Sequence, residues 1–334
     1  MKQNYTTGEE IRAVAEQIKA RADSAGGLKR IFCVACGGSL GGLYPLEYLL
    51  RCESKELNVY SISSNEFVYA TPAGVDENAL VVTCSMTGTT PETVEAALRA
   101  RERGAIVVTM SASADTPLAE QGQFHLVYAN SHELHGGYDA TNMALALRLG
   151  FELLRVCDGY AHYEEAMAGF EVLDASIGKA LARCKRRADQ FGREHKDDKV
   201  IYTVGSGPSA SVAYMESICM LIEMEWINSS SIHAGELFHG PFEIADFDTP
   251  FLIFMSEGKA RALDERALRF LQKYAGRVTV IDAKEMGVSI IAPAVEEYFS
   301  PLYNWEAAFV FSQSLAESKN HPLFQRRYMF KVPY

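Results

Sequence analysis

The chain has 334 residues, and 43 Asp and Glu against 32 Lys and Arg give it a formal net charge of −11. It is too long for one minimal core and suits one large or two medium domains, while no apolar run is long enough to span a bilayer. The acidic balance, unrelieved by any Lys/Arg block, argues against nucleic acid or an anionic membrane surface as partner.

The seven cysteines are odd in number and scattered through strand-like and helical segments, so a reducing cytoplasm fits better than a disulfide framework. Met1-Lys2-Gln3-Asn4-Tyr5 is not followed by the apolar segment of a signal peptide.

Glu9–Ala22 has helical spacing, and Arg30–Ala35 is a short apolar strand running into Cys36-Gly37-Gly38-Ser39. A helix follows to Leu50, then strands at Leu57–Ile62 and Ala79–Cys84, the second entering Ser85-Met86-Thr87-Gly88-Thr89-Thr90-Pro91. Helix Glu92–Arg103 leads to strand Ala105–Met110, and Leu145–Cys157 and Tyr163–Phe191 read as long helices. Strand, glycine turn, helix and strand in alternation predict a parallel sheet covered by helices.

The rhythm then restarts. Strand Lys199–Val204 ends in Gly205-Ser206-Gly207-Pro208-Ser209 and is followed by helix Val212–Trp226. Strand Pro250–Met255 ends in Ser256-Glu257-Gly258-Lys259, followed by helix Leu263–Tyr274 and strand Arg277–Asp282. An offset of about 170 residues pairs Ile31 with Ile201 and Ser39 with Ser209, which marks an internal duplication. The expected fold is two tandem α/β units, each a doubly wound parallel sheet flanked by helices.

The copies differ. Ser39, Ser85, Thr87, Thr89 and Thr90 stand at strand ends of the first, and Thr90-Pro91 has the form of a helix N-cap and first turn. Hydroxyls, free amides and the positive end of a helix dipole bind a phosphate without lysine, at the carboxyl ends of the strands. The second copy carries Glu257 and Lys259 at the matching turn and is expected to lack the hydroxyl cluster. The first half therefore reads as the phosphate holder and the second as the source of acid–base groups.

Gly235-Glu236-Leu237-Phe238-His239-Gly240-Pro241 supplies one such group, with Glu223 sixteen residues before its histidine. Gly and Gly-Pro around His239 put the imidazole on a turn, whereas Glu223 sits in a helical run. A carboxylate and an imidazole suit proton transfer on a sugar. Spacing alone equally allows a solvated glutamate and an ordinary turn histidine.

These motifs, in this order, resemble the sugar isomerase (SIS) superfamily over nearly the whole chain, in particular its double-domain branch. That branch includes the isomerase half of glucosamine-6-phosphate synthase and the deglycases of 6-phosphorylated Amadori compounds. The resemblance implies a first SIS domain at 1–160, connecting helices at 161–195 and a second SIS domain at 196–334. It assigns the phosphosugar to Gly37, Gly38, Ser39, Ser85, Met86, Thr87 and Thr90, and catalysis to Glu223 and His239 with Glu216 in support. Lys331 is a further candidate, because Arg327-Tyr328-Met329-Phe330-Lys331 fits the synthase's tail spacing while the rest of the tail looks more like the deglycases.

A 6-phosphoketosamine deglycase is the leading expectation, with an aldose–ketose isomerase or a non-catalytic sugar-phosphate sensor as alternatives. The resemblance implies no metal and no cofactor, and a homodimer or larger assembly, because the synthase's histidine reaches in from a neighbouring subunit. The chain starts directly at the sugar half, so glutamine-dependent glucosamine 6-phosphate synthesis is not expected. Cys33 and Cys36 have redox-motif spacing but read as packing, because Cys33 lies in a strand. His132 and His135, like His233 with Glu236 and His239, resemble metal pairs without a supporting ligand pattern. His132, His135 and Tyr138 are expected near the amine end of the substrate.

Overall fold

The structure, a computed structural model, describes residues 5–130 and 137–333. The chain divides into two compact units, Met1–Asp174 and Ala175–Tyr334. No helix among the described residues is long and apolar enough to cross a membrane.

In the first unit, helix α1 (Gly8–Ser24) opens on a reciprocal cap: the Thr7 hydroxyl accepts from the Glu10 amide, and the Glu10 carboxylate accepts from the Thr7 amide. Strands β1 (Arg30–Ala35), β2 (Asn58–Ser63), β3 (Ala79–Cys84), β4 (Ile106–Ser111) and β5 (Phe124–Val127) form one sheet in the order β2-β1-β3-β4-β5. All its pairings are parallel. Every residue of β3 and β4 is buried, which is why their sequences read as largely apolar runs rather than alternating ones.

Helices α2 (Gly37–Glu53) and α3 (Ser64–Tyr69) accompany β1 and β2, and α4 (Pro91–Glu102) joins β3 to β4. The chain therefore leaves β1 in one direction along the sheet and β3 in the other. The turns after these two strands flank the point where strand order reverses, the usual ligand crevice of an open α/β sheet. Helices α5 (Asn142–Asp158) and α6 (Tyr163–Glu171) complete the unit, and α7 (Leu173–His195) carries the chain across the boundary. The expected single helix Tyr163–Phe191 is thus two, interrupted at Val172.

The second unit repeats the plan. Strands β6 (Tyr202–Gly205), β7 (Ser231–His233), β8 (Pro250–Met255) and β9 (Arg277–Asp282) are parallel in the order β7-β6-β8-β9. Its helices are α8 (Ala210–Met215), α9 (Arg261–Tyr274), the short α10 (Ala283–Met286) and α11 (Glu296–Lys319). Gly37 and Gly207, one repeat apart, have φ of 54° and 53°. Each makes a left-handed step out of a strand that a β-carbon would strain.

Where the sequence suggests one α-helix over Val212–Trp226, α8 stops at Met215 and Glu216–Met224 continues as a π-helix. Trp226 then reverses the chain at a φ of 59°, an unusual conformation for a bulky residue. A long helix not anticipated from the sequence, α11, ends at Asn320 in the left-handed conformation that asparagine tolerates.

Helices α7 and α11 pack so closely that a β-carbon on Gly192 would lie 2.3 Å from the Ser314 carbonyl oxygen. A backbone atom cannot retreat as a side chain can. Gly192→Ala is expected to destabilise the protein by about 1–3 kcal/mol, measured by urea unfolding.

Candidate functional site

The first unit holds an open cradle between the turns after β1 and β3. In the second turn the Ser85 and Thr90 hydroxyls pair at 2.8 Å and those of Thr87 and Thr89 at 2.7 Å. Thr90 is the N-cap of α4, yet its hydroxyl faces Ser85 instead of capping the helix. The amides of Gly37, Gly38, Thr87, Thr90 and Glu92 find no protein acceptor among the described residues. Two helix N-termini, α2 and α4, thus present free donors beside four hydroxyls, the arrangement that takes an oxyanion.

Gly88, at a φ of 66°, holds this turn close against Thr116, where a β-carbon would come within 2.4 Å. The Met86 side chain is exposed, and Ser39 lies half-buried in the first turn of α2. Below the cradle the Cys84 thiol meets the Tyr128 hydroxyl at 3.9 Å. Burial pushes this thiol up to about 11, so it remains protonated. No disulfide forms among the described residues, and the seven cysteines are thiols.

The matching turns of the second unit retain hydroxyls, contrary to expectation, but the protein itself consumes them. Ser206 donates to the Asp264 carboxyl at 2.5 Å, and Ser256 donates to Ser209 at 2.7 Å. Asn304 donates both to Ser209 and to the Met255 carbonyl, at 2.9 Å each. The Lys259 amide reaches the Glu297 carboxylate at 3.3 Å. A side-chain carboxyl, Asp264, stands where a bound anion would. Burial pushes it up to about 7 despite the Ser206 hydroxyl and the nearby Arg261. Arg261 instead holds Asp282 through two nitrogens, at 2.9 and 2.7 Å.

The π-helix explains how two glutamates seven residues apart have different surroundings. Two turns of α-helix would return them to one face, but the wider π turn does not. Glu216 is fully buried: one carboxyl oxygen accepts from Ser312 at 2.7 Å and the other has no partner. Burial pushes its carboxyl up to about 8, with the neighbouring Glu225 adding to the rise. Glu225 itself pairs with Lys319 at 3.0 Å.

Glu223 is half-buried and accepts from Arg326 Nε at 2.7 Å. It lines a cavity of about 420 Å³ together with the tail segment Arg326–Met329. The Lys331 ammonium donates to the Arg326 carbonyl and does not contact Glu223 directly. Arg326, which the sequence reading had not singled out, is the residue that meets Glu223. An Arg-Arg pair a hundred residues from a glutamate offers no spacing signal for that contact.

His239 lies exposed on the turn before Pro241, its amide donating to the Glu236 carbonyl at 2.9 Å. Its ring has no partner among the described residues, and nothing there joins it to Glu223. His233 Nδ1 accepts from the Gly235 amide at 3.1 Å. The Tyr138 amide donates to Asp174, while His132 and His135 lie outside the described residues.

The SIS domain family matches residues 28–148. The chain is 39% identical over 325 residues to fructosamine deglycase FrlB of Bacillus subtilis (strain 168), covering 97% of each protein. It is 27% identical to the fructoselysine 6-phosphate deglycase of Escherichia coli (strain K12), over 95% of this chain and 89% of that one. A crystal structure from Salmonella typhimurium LT2, assigned as a phosphosugar isomerase, superposes with a TM-score of 0.95 at 40% identity, covering 99% and 98% of the two chains. The chain therefore belongs to the SIS-domain family of phosphosugar-processing enzymes. Within that family it is an enzyme of the fructosamine-deglycase type.

Glu216 generates a pH prediction. The folded carboxyl keeps its proton to about pH 8, whereas the unfolded group loses it near 4.5. Between those values the folded state binds more protons, so this residue's contribution to stability falls as pH rises and levels off above pH 8. Glu216→Gln should flatten that dependence and gain up to about 4 kcal/mol over wild type at pH 9, but little at pH 5, in urea unfolding at the two pH values.

Proposed function

We propose that the protein hydrolyses a 6-phosphorylated ketosamine to glucose 6-phosphate and a free amine. The observation that carries this reading is Glu223, a carboxylate facing a cavity in a chain so similar along its length to a fructosamine deglycase. The open cradle of the first unit is assigned the 6-phosphate, bound by Gly37, Gly38, Ser39, Ser85, Met86, Thr87 and Thr90. Its hydroxyls and free amides support that role.

The open-chain substrate carries a ketone at C2 and an amine at C1. Glu223 removes a C1 proton to give the 1,2-enaminol, and a proton returned to C2, with loss of the nitrogen's proton, gives an imine at C1. Water activated by Glu223 adds to the imine. His239 protonates the departing nitrogen, the general-acid role an imidazole within reach of a leaving group can take. The exposed, unpartnered His239 ring fits a group that reaches its substrate in a homodimer or larger assembly. Glu216 supports the helix that carries Glu223, and Lys331 fixes the tail through Arg326. No step calls for a metal or a cofactor.

A coupled assay for glucose 6-phosphate on 6-phosphofructosamines tests this reading. Wild type should release glucose 6-phosphate and amine in equal amounts, and Glu223→Gln and His239→Ala should each lower kcat by about two to four orders of magnitude. Interconversion of hexose phosphates without amine release would assign an isomerase instead, and binding without turnover a sensor.

A further inference from the structure

We infer that His125 is a positioning residue for the anion cradle: its ring fixes the loop after β4, and that loop holds the turn Ser85–Thr90 in shape. The inference rests on the assignment of the 6-phosphate to the cradle and adds what keeps the cradle's turn in place. All the residues concerned belong to the first unit.

Strand β4 is buried along its whole length, yet Ile106-Val107-Val108-Thr109-Met110-Ser111 carries two hydroxyls. The two-residue period of a strand puts Thr109 and Ser111 on one face, and the register sets Thr109 opposite His125 of the edge strand β5. The imidazole therefore lies across both hydroxyls. Its Nδ1 is 2.8 Å from the Thr109 hydroxyl, and its Nε2 is 3.1 Å from both the Ser111 hydroxyl and the Ser113 carbonyl. A carbonyl only accepts, so Nε2 carries a hydrogen and donates it there. Ser111 donates to the same carbonyl at 2.6 Å and stands 3.4 Å from the Thr116 hydroxyl.

The loop fixed in this way touches the cradle's turn at three points. The Ala112 amide donates to the Met86 carbonyl and the Leu118 amide to the Gly88 carbonyl, at 3.0 Å each. Between them the buried Thr116 side chain fills the space that Gly88 leaves open. In a planar trans peptide the Met86 carbonyl and the Thr87 amide point opposite ways. The bond from Ala112 thus turns the free Thr87 amide away from the loop, where an anion can take it.

Two charge states of the ring keep this geometry. Neutral, Nδ1 accepts from Thr109; protonated, it donates to Thr109, whose own hydroxyl then turns to the Phe124 carbonyl at 3.3 Å. No charged side chain among the described residues contacts the ring. Arg21 of α1 lies over the Phe124 ring, on the other face of the sheet, and Arg101 of α4 donates to the Glu120 carbonyl. Asp115 and Glu120 are exposed on the loop. Burial holds the imidazole below its usual range against the pull of its two hydrogen-bond partners, so the free protein carries it neutral above that point. An anion in the cradle favours the protonated ring, and the protonated ring favours the anion by the same factor.

Sulfate is the probe, because its own charge is constant where an imidazole titrates. The His125 ring resonance is identified by its absence from His125→Gln. In wild type, saturating sulfate should raise the midpoint of that resonance by about 0.5 to 1 pH unit, and sulfate affinity should rise about three- to tenfold as pH falls through it. His125→Gln, whose side-chain amide can still donate to Ser113, should keep the wild-type affinity at high pH and lose the rise. His125→Leu, checked for folding by circular dichroism, should weaken sulfate at every pH. A midpoint that sulfate does not move, or an undiminished pH dependence in His125→Gln, would overturn the inference and leave the cradle standing. Sulfate binding that survives in full in a Ser85→Ala, Thr90→Val double variant would strike the cradle itself, and the inference with it.

Discussion

A helix that starts directly after a parallel strand begins with backbone N–H groups it cannot satisfy, and much of this molecule follows from how those groups are answered. In the first unit the turns after β1 and β3 leave amides of Gly37, Gly38, Thr87, Thr90 and Glu92 open beside paired hydroxyls. In the second, Asp264, Ser256, Ser300 and Glu297 accept internally from amides of the corresponding turns. The same local geometry leaves an open cradle in one copy and a packed, polar interior in the other. Burial of Asp264, whose carboxyl rises to about 7, is part of what that closure costs.

With its strand-end donors answered internally, the second unit presents its candidate acid–base carboxylate on the segment after α8. The π-helix separates a sequestered glutamate, Glu216, from one that faces a cavity, Glu223. The backbone strain at Trp226 is balanced by what its ring contacts, His321 on its edge and Arg327 on its face. Both partners follow α11, so the tail and the end of the π-helix define each other's position.

Strands β1, β3 and β8 were legible residue for residue because buried parallel strands leave short apolar runs bounded by turn residues, and the partly buried edge strand β9 was legible by its β-branched residues. Helix α11 was not legible. It is buried on nearly all sides, carries Ser300, Asn304 and Ser312 inside and contains Pro301, so it shows neither an amphipathic stripe nor a clean apolar run. The three-residue strand β7 is too short for a period. Glu223, His239 and the Ser85–Thr90 turn stood out by motif, whereas the Arg326 contact and the filling of the second crevice are tertiary facts. Asp264 looks like any helix-surface acid until Ser206 is seen donating to it.

The near-identical left-handed steps at Gly37 and Gly207 bear on the history of the chain. After a duplication, side chains at the two crevices were free to diverge, and they did. The backbone path out of the first strand was not, because the sheet and the following helix depend on it whether or not anything binds there. A turn glycine of this kind is held by the fold itself, so it marks the correspondence of the two copies even where their crevices differ in content.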